Sequence, residues 1–145
     1  MKKETAQMEA RPFNDISYEQ FLSEEKLMGS RCKECGVLSV PPRSICIKCY
    51  GSEMEWVEMR GRGELAAFTC IAIGPPFMMK EGYDRKHPYV CGVVELEEGM
   101  RVVARIEGVD GSKPETIKIG TLLRVEFLRR REGDNSTTFL AFRPS

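Results

Sequence analysis

Four cysteines form two closely spaced pairs in the first third of the chain. Each pair has the spacing Cys-x-x-Cys, and positions 36–45 separate the pairs, which are Cys32 with Cys35 and Cys46 with Cys49. A Cys-x-x-Cys turn places two thiolates on one side of a tight loop, and two such loops complete a tetrahedral shell of sulfur. A complete shell has no open position for a substrate water, so the spacing predicts one structural metal ion. Gly36 suits the positive φ that such a loop often requires.

Zinc is the expected ion, with iron as the alternative because tetrahedral sulfur sites accept both metals. Disulfide bonds are a competing interpretation, but they require an oxidising compartment. A redox dithiol is another, but such motifs normally occur singly near a βαβ pattern. The interval between the pairs is shorter than the usual span of about 15–20 residues. The sequence therefore predicts a short metal-binding ribbon over residues 30–55.

The two remaining cysteines are expected to serve packing rather than chemistry. Cys70 and Cys91 lie in apolar runs, and a free cysteine is among the residue types most often buried. The single histidine, His87, precedes Cys91 by four positions, which on a strand separates the two residues by about 13 Å. They cannot act as nucleophile and base at that distance. Because phosphate-binding and dinucleotide-binding motifs are also missing from the sequence, we predict that the chain is not an enzyme.

The segments before the cysteines are predicted to be a flexible tail over residues 1–13 and a helix over residues 14–29. Ser17 and Gln20 have the spacing of a capping box, and Gly29 is a natural stop for a helix. One face of this helix would be apolar, carrying Tyr18, Phe21, Leu22 and Met28. A helix this short is marginal alone, so its apolar face has to dock on another surface.

The remainder of the chain, residues 56–145, has the texture of a small β domain. Turn residues separate five β-rich runs, which cover residues 64–73, 88–96, 101–107, 121–129 and 137–142. Five strands with short connections predict a small closed barrel or a sandwich, and five is the strand number of an OB-fold. Trp56, at the start of this region, is expected to pack between ribbon and barrel.

Composition argues against nucleic acid and membrane as partners. Lys plus Arg and Asp plus Glu both number 22, so the formal net charge is zero. Nucleic-acid-binding domains usually concentrate positive charge, because phosphate contacts release counterions. No apolar run approaches the roughly 20 residues that span a bilayer. The N-terminus has no apolar segment of the kind found in signal peptides. We therefore expect a cytoplasmic protein.

Several short motifs occur in an order that resembles a known family. A short helix leads into Cys-Lys-Glu-Cys-Gly, and the motifs that follow are Val40-Pro41-Pro42-Arg43, Glu55-Trp56-Val57-Glu58, Gly61-Arg62-Gly63-Glu64-Leu65, Pro88-Tyr89-Val90, Glu98-Gly99-Met100-Arg101 and Ile119-Gly120. Over about residues 14–145 this order resembles the family once called domain of unknown function 35. The resemblance implies a mostly β chain with an N-terminal helix, a rubredoxin-like zinc ribbon and a five-stranded OB-fold barrel.

The resemblance also implies a function, which is to act as a non-catalytic partner of thiolase-type enzymes. Members of this family are associated with acetoacetyl-CoA thiolase and hydroxymethylglutaryl-CoA synthase of the mevalonate route. They are expected to hold these enzymes together and to contribute to a shared site for CoA or acyl-CoA. The alternative is a zinc-ribbon and OB-fold protein that binds nucleic acid.

A site for CoA needs cations for the phosphates and an apolar path for the pantetheine arm. The apolar run Gly74-Pro75-Pro76-Phe77-Met78-Met79 could line that path, or it could cap one end of the barrel. The candidate CoA-binding residues are Arg60, Arg62, Phe77, Lys80, Arg85 and Lys86. The run Arg129-Arg130-Arg131 is a weaker candidate and is better interpreted as a solvated strand end.

Overall fold

The structure is a computed structural model that describes residues 11–145, apart from the side chain of Glu132. Most of the predicted tail, residues 1–10, therefore lies outside the described residues. The elements in chain order are α1 (Asp15–Ser23), β1 (Met28–Cys32), β2 (Leu38–Ser39), β3 (Met54–Glu58), β4 (Arg62–Ile71), α2 (Pro76–Lys80), β5 (Tyr89–Leu96), β6 (Arg101–Ile106), a 3₁₀ turn (Pro114–Thr116), β7 (Leu122–Glu132) and β8 (Asn135–Pro144). None of the helices in residues 11–145 is long and apolar enough to cross a bilayer.

The N-cap of helix α1 lies three residues before the predicted capping box. The side chain of Asn14 accepts a hydrogen bond from the backbone N–H of Ser17 at 2.9 Å, so Asn14 and not Ser17 is the N-cap. Ser17 is itself buried. The helix ends at Ser23 and is thus shorter than the predicted segment 14–29. Phe21 and Leu22 form its buried face, as the apolar stripe predicted.

The residues just before α1 are packed against the protein, which corrects the prediction that the tail continues to residue 13. Phe13 stacks on Trp56 with ring centroids 4.5 Å apart, and Phe21 meets the same indole edge-on at 4.8 Å. The indole N–H of Trp56 donates to the carbonyl of Arg11 at 3.1 Å. Trp56 lies in β3 and packs on the helical segment, a contact that the sequence did not predict.

A three-stranded antiparallel sheet with the order β2-β1-β3 carries the first part of the chain. Gly29 was predicted to stop the helix, but it lies inside β1. A Cβ at this position would stand 2.6 Å from the carbonyl oxygen of Ser39 on the neighbouring strand. Glycine is required here because the two backbones approach closely, which is a long-range constraint that the local sequence does not reveal.

The other five strands form a closed barrel in the order β4-β5-β6-β8-β7. Antiparallel pairs join β5 to β4 and β6, a parallel pair joins β6 to β8, and an antiparallel pair between β4 and β7 closes the ring. Alternate side chains of each strand point inward, and those that do are mostly apolar. The most buried of them are Leu65, Val94, Leu123, Ala141 and Phe142. The predicted mostly β chain with a five-stranded closed barrel is confirmed.

Strands β7 and β8 are longer than the sequence predicts. Both continue towards the turn at Gly133, through polar residues that show no apolar alternation. Contacts divide the chain into two compact units, and this extension belongs to the first. The first unit holds the residues up to Arg60 together with Arg129–Phe139, and the second holds Gly61–Leu128 with Leu140–Ser145.

Cys70 and Cys91 are half-buried, so the prediction that both are core residues is wrong. Cys91 pairs with Thr69 across the barrel wall, whereas Cys70 pairs with Val90. Opposed residues face the same side of a sheet. Because Thr69 is exposed and Val90 is buried, Cys91 points outward and Cys70 points inward. The error arose from reading an apolar run as buried on both faces.

Candidate metal centre and surface clefts

Two loops with the same hydrogen-bond pattern present the four cysteines. In the first, Cys32 N–H donates to Val37 at 3.0 Å and Gly36 N–H donates back to Cys32 at 2.8 Å. In the second, Cys46 N–H donates to Gly51 at 2.9 Å and Tyr50 N–H donates back to Cys46 at 3.0 Å. We call residues 45–50 the outer knuckle. The matching bonds show that each Cys-x-x-Cys pair sits in the same tight turn.

The four sulfur atoms have the spacing that a tetrahedral metal ion requires. Sγ of Cys32 lies 3.5 Å from Sγ of Cys49, and Sγ of Cys35 lies 3.4 Å from Sγ of Cys46. All four sulfur atoms lie within 4.8 Å of one another. A tetrahedral zinc ion with Zn–S bonds of about 2.3 Å would set these separations at about 3.8 Å. The donor set and its spacing therefore fit a tetrahedral metal ion, and the cluster indicates a metal site.

Backbone amides prepare one of these thiols for metal binding. The N–H groups of Cys49 and then Lys48 lower the pKa of the Cys46 thiol to about 6, and Lys48 N–H lies 3.4 Å from Cys46 Sγ. A metal ligand must be a thiolate. The amide dipoles of this loop therefore favour the thiolate form of Cys46, which is the form that binds a metal ion.

Residues 72–88, which we call the β4–β5 segment, contain the predicted apolar run. The sequence left open whether that run lines a path for a ligand or caps the barrel. In the structure its side chains differ in burial. Met78 is buried on α2, whereas Phe77 and Met79 are exposed. One side chain of α2 therefore anchors the segment in the barrel unit, and two apolar side chains remain at the surface.

A cluster of charged side chains fixes the end of this segment to the barrel wall. Arg105 on β6 donates from Nη1 to Glu81 at 3.0 Å and from Nη2 to Glu107 at 2.8 Å. Its guanidinium lies 5.4 Å above the ring of Tyr83, whose hydroxyl donates to Glu107 at 3.2 Å. Burial, and then the nearby Glu107 carboxylate, raise the pKa of Tyr83, so its hydroxyl remains a donor. Sequence reasoning missed this cluster because Glu81 and Arg105 belong to different elements.

A cleft of about 440 Å³ opens beside the β4–β5 segment. Ile73 and Met79 supply apolar walls, and Arg85 and Lys86 supply positive charge. The carboxylate of Asp84 accepts hydrogen bonds from the backbone N–H groups of Lys86 at 2.8 Å and His87 at 2.9 Å. The Lys86 amide is the main cause that lowers the pKa of Asp84. The ionised Asp84 thus shapes the turn that carries the two cations.

The other four candidate CoA-binding residues do not all lie beside Arg85 and Lys86. Phe77 and Lys80 lie on α2, next along the chain to Met79. Arg62 lines a different cavity of about 610 Å³, together with Arg124 and the C-terminal Ser145. Arg60 belongs to the first compact unit, whereas the other five belong to the second. The structure therefore gathers only part of the predicted set around one cleft.

The weaker candidate Arg129 has a structural contact in the first unit. Its guanidinium donates to the carbonyl of Ser23 at 2.9 Å, and it lies 3.9 Å from the carboxylate of Glu25. Ser23 is the last residue of α1, where backbone carbonyls lack helical partners. Arg129 therefore donates a hydrogen bond to a carbonyl at the end of α1 and also faces solvent.

Comparisons with known proteins match both halves of this architecture. Residues 20–55 match the family model described as the ChsH2 rubredoxin-like zinc ribbon domain, and residues 56–128 match the ChsH2 C-terminal OB-fold domain. A DUF35 domain-containing scaffold protein of Methanocaldococcus jannaschii is 36% identical over 111 residues, which cover 75% of this chain and 73% of the relative. Benzoylsuccinyl-CoA thiolase subunit BbsA of Thauera aromatica is 41% identical over 86 residues, covering 59% of this chain and 55% of the subunit.

A solved structure shares the arrangement of elements as well as the sequence pattern. The chain is similar to one in the structure titled Ltp2-ChsH2(DUF35) aldolase, with a TM-score of 0.73 and 28% identity. The match covers 93% of this chain and 97% of that one. With the two family models and the scaffold relative, this similarity shows that the chain belongs to the DUF35 family, which joins a rubredoxin-like zinc ribbon to an OB-fold.

Proposed function

We propose that this chain is a non-catalytic accessory subunit that binds a thiolase-type enzyme and helps to hold its acyl-CoA. The observation that carries the proposal is the similarity to proteins named as a scaffold protein and as a thiolase subunit. The similar chain in an aldolase structure adds a third case of association with an enzyme. The specific partners implied by the family resemblance, acetoacetyl-CoA thiolase and hydroxymethylglutaryl-CoA synthase, are the finer form of the proposal.

The arrangement of nucleophiles and bases supports a non-catalytic role. The imidazole of His87, the single histidine of the chain, lies 3.2 Å from the carboxylate of Asp84. Cys91 points outward from the barrel wall, opposite Thr69 and Arg105 on its two neighbouring strands. A cysteine hydrolase needs a base within hydrogen-bond reach of the thiol. Assay of the isolated chain for thioester hydrolysis should give no turnover above the uncatalysed rate.

The cleft beside the β4–β5 segment supports a contribution to acyl-CoA binding. The phosphates of CoA favour Arg and Lys, and its pantetheine arm favours an apolar wall. Arg85 and Lys86 supply the positive charge, and Met79 and Ile73 supply the apolar wall. The cations outnumber the single carboxylate of Asp84, and the anchoring of Met78 and Arg105 holds the segment in place.

Calorimetric titration of acyl-CoA into the complex of the chain and its enzyme tests this part of the proposal. The double variant Arg85→Ala with Lys86→Ala should weaken binding by about tenfold or more, since each contact to a phosphate is charge-assisted. Arg124→Ala, in the separate cavity, is the matched control and should leave affinity unchanged. Equal affinities for the wild type and the double variant would contradict the assignment of the cleft.

We further propose that the four-cysteine site binds one Zn²⁺ ion and that the ion is structural. Four thiolates complete its coordination shell, so it would support the fold of the ribbon and not activate a water. Elemental analysis should find one zinc per chain. Iron at that stoichiometry, with the absorption of a ferric thiolate site, would contradict the choice of metal while leaving the site in place.

A further inference from the structure

The outer knuckle of the ribbon exposes more apolar surface than its structural role requires. Within this turn Cys46 is buried, but Ile45 is 57%, Ile47 is 59% and Tyr50 is 79% exposed. The bond from Tyr50 N–H to the Cys46 carbonyl closes the turn and keeps the three side chains within a short stretch of chain. Large apolar side chains grouped in this way mark interaction sites more often than isolated ones do.

Tyr50 also adopts a backbone conformation that a tyrosine rarely adopts. Its φ is +62°, and the equivalent residue of the first loop, Gly36, has φ +81°. Both residues follow the first cysteine of their pair by four positions and donate to its carbonyl. Glycine accepts this conformation freely, whereas a residue with a Cβ is strained in it. Burial does not explain a strained tyrosine in place of glycine, so the exposed ring points to a role at the surface.

Two cations accompany the exposed apolar side chains: Arg43 lies just before the knuckle and Lys48 lies within it. Arg43 and Lys48 are exposed, and neither side chain forms an ion pair with another described residue. The backbone N–H of Arg43 donates to the buried hydroxyl of Ser30 at 2.9 Å, which fixes the approach to the knuckle. The surface thus joins three exposed apolar side chains to two cations, which outnumber the Glu34 carboxylate that lies 3.8 Å from Sγ of Cys49. It is complementary to an apolar pocket bordered by carboxylates.

We propose that the outer knuckle docks into such a pocket on the thiolase-type partner enzyme, with Tyr50 as the main anchor. This inference rests on the proposed function and gives that association a specific surface. Tyrosine is enriched among the residues that dominate binding energy at interfaces. The knuckle is held by its metal site and its turn bonds, so little conformational freedom is lost on binding.

The test measures the affinity of the full chain for the purified thiolase-type enzyme of the same organism, at low and at moderate salt. Tyr50→Gly should weaken binding by about tenfold or more and yet raise the melting temperature, since it relieves the positive φ. Ile47→Ser should weaken binding similarly. Lys48→Glu should weaken binding most at low salt, where charge attraction is least screened. The matched control is Ile119→Ser, an exposed apolar side chain of the second unit.

The possible results are distinct. If the wild type binds the enzyme and the three knuckle variants bind equally well, the knuckle is not the docking surface, although the proposed function stands. If the wild type does not bind, the proposed function and this inference both fail. If the chain does not bind the enzyme but forms a dimer that the knuckle variants disrupt, the partner of the knuckle is a second copy of this chain and not the enzyme. The metal content is measured for each variant. If Tyr50→Gly changes the metal content, the affinity of Lys48→Glu decides whether the knuckle is the docking surface.

Discussion

Arg105 and Glu81 form an ion pair that ties the end of the β4–β5 segment to the barrel wall. Their N–O distance is 3.0 Å, and their side chains are only 12% and 15% exposed. An ion pair shielded in this way is screened less by water and salt than a surface pair is. The pair therefore holds in place the segment that carries Arg85 and Lys86.

We predict that Arg105→Met frees this segment without unfolding the barrel. The variant leaves Glu81 and Glu107 without their cation, and loss of one partner of a partly buried pair should cost about 2 kcal/mol locally. Hydrogen exchange should accelerate by about thirtyfold in residues 76–88 and stay slow in β5. Arg101→Met is the control, because its pair with Glu95 is at the 4.0 Å limit and well exposed. Unchanged exchange in the Arg105 variant would show that the pair does not hold the segment.

The close approach at Gly29 predicts an effect of a single methyl group on the ribbon. A Cβ there would lie 2.6 Å from both the Ser39 carbonyl oxygen and a methyl of Val40, so β1 and β2 would have to separate. Gly29→Ala should destabilise the first unit by about 2–3 kcal/mol, as overpacking does. Chemical denaturation followed by the fluorescence of Trp56 measures this directly. Gly82→Ala is a control for the mutation type, since a Cβ there meets nothing within 4 Å although its φ is positive. Its cost should be only about 1 kcal/mol, and an equal cost for both variants would contradict the steric argument.

The sequence predicted the features that depend on local pattern. The cysteine spacing identified the four sulfur atoms that the structure brings together, because each pair lies in one short turn. Alternation and turn residues located the five barrel strands. Their bounds failed at 129–137, where charged and polar side chains extend β7 and β8 without any apolar alternation.

The features that sequence reasoning missed depend on contacts between distant residues. Nothing local in the sequence indicates that Phe13 stacks on Trp56. Gly29 resembles a helix stop until the neighbouring Ser39 is known. Candidate CoA-binding residues were chosen by charge or apolar character, and neither property shows that Arg62 lines a different cavity from Arg85. Such errors are removed by knowing the fold, not by reading the sequence more closely.

Removal of the metal should unfold the ribbon but not the barrel. The buried cluster around the metal site is small, consisting of Cys32, Cys46 and Met54, so the ribbon depends on metal binding for its stability. With a chelator, the amides of Gly36 and Tyr50, which close the two loops, should lose their protection from hydrogen exchange. The amides of β5 should keep theirs, because they belong to the closed barrel. Restored protection after adding Zn²⁺ is the control, and protection that survives chelation would refute a structural role for the metal.

Native mass spectrometry of the full chain with the purified thiolase-type enzyme and acyl-CoA tests the central claim most directly. The account predicts a complex that contains both proteins, one zinc ion for each copy of this chain, and acyl-CoA retained in smaller amount when Arg85 and Lys86 are replaced by alanine. Two separate proteins under conditions that preserve weak complexes would contradict it. Binding of single-stranded oligonucleotides in place of the enzyme, weakening steeply with salt, would instead assign the barrel to nucleic acid.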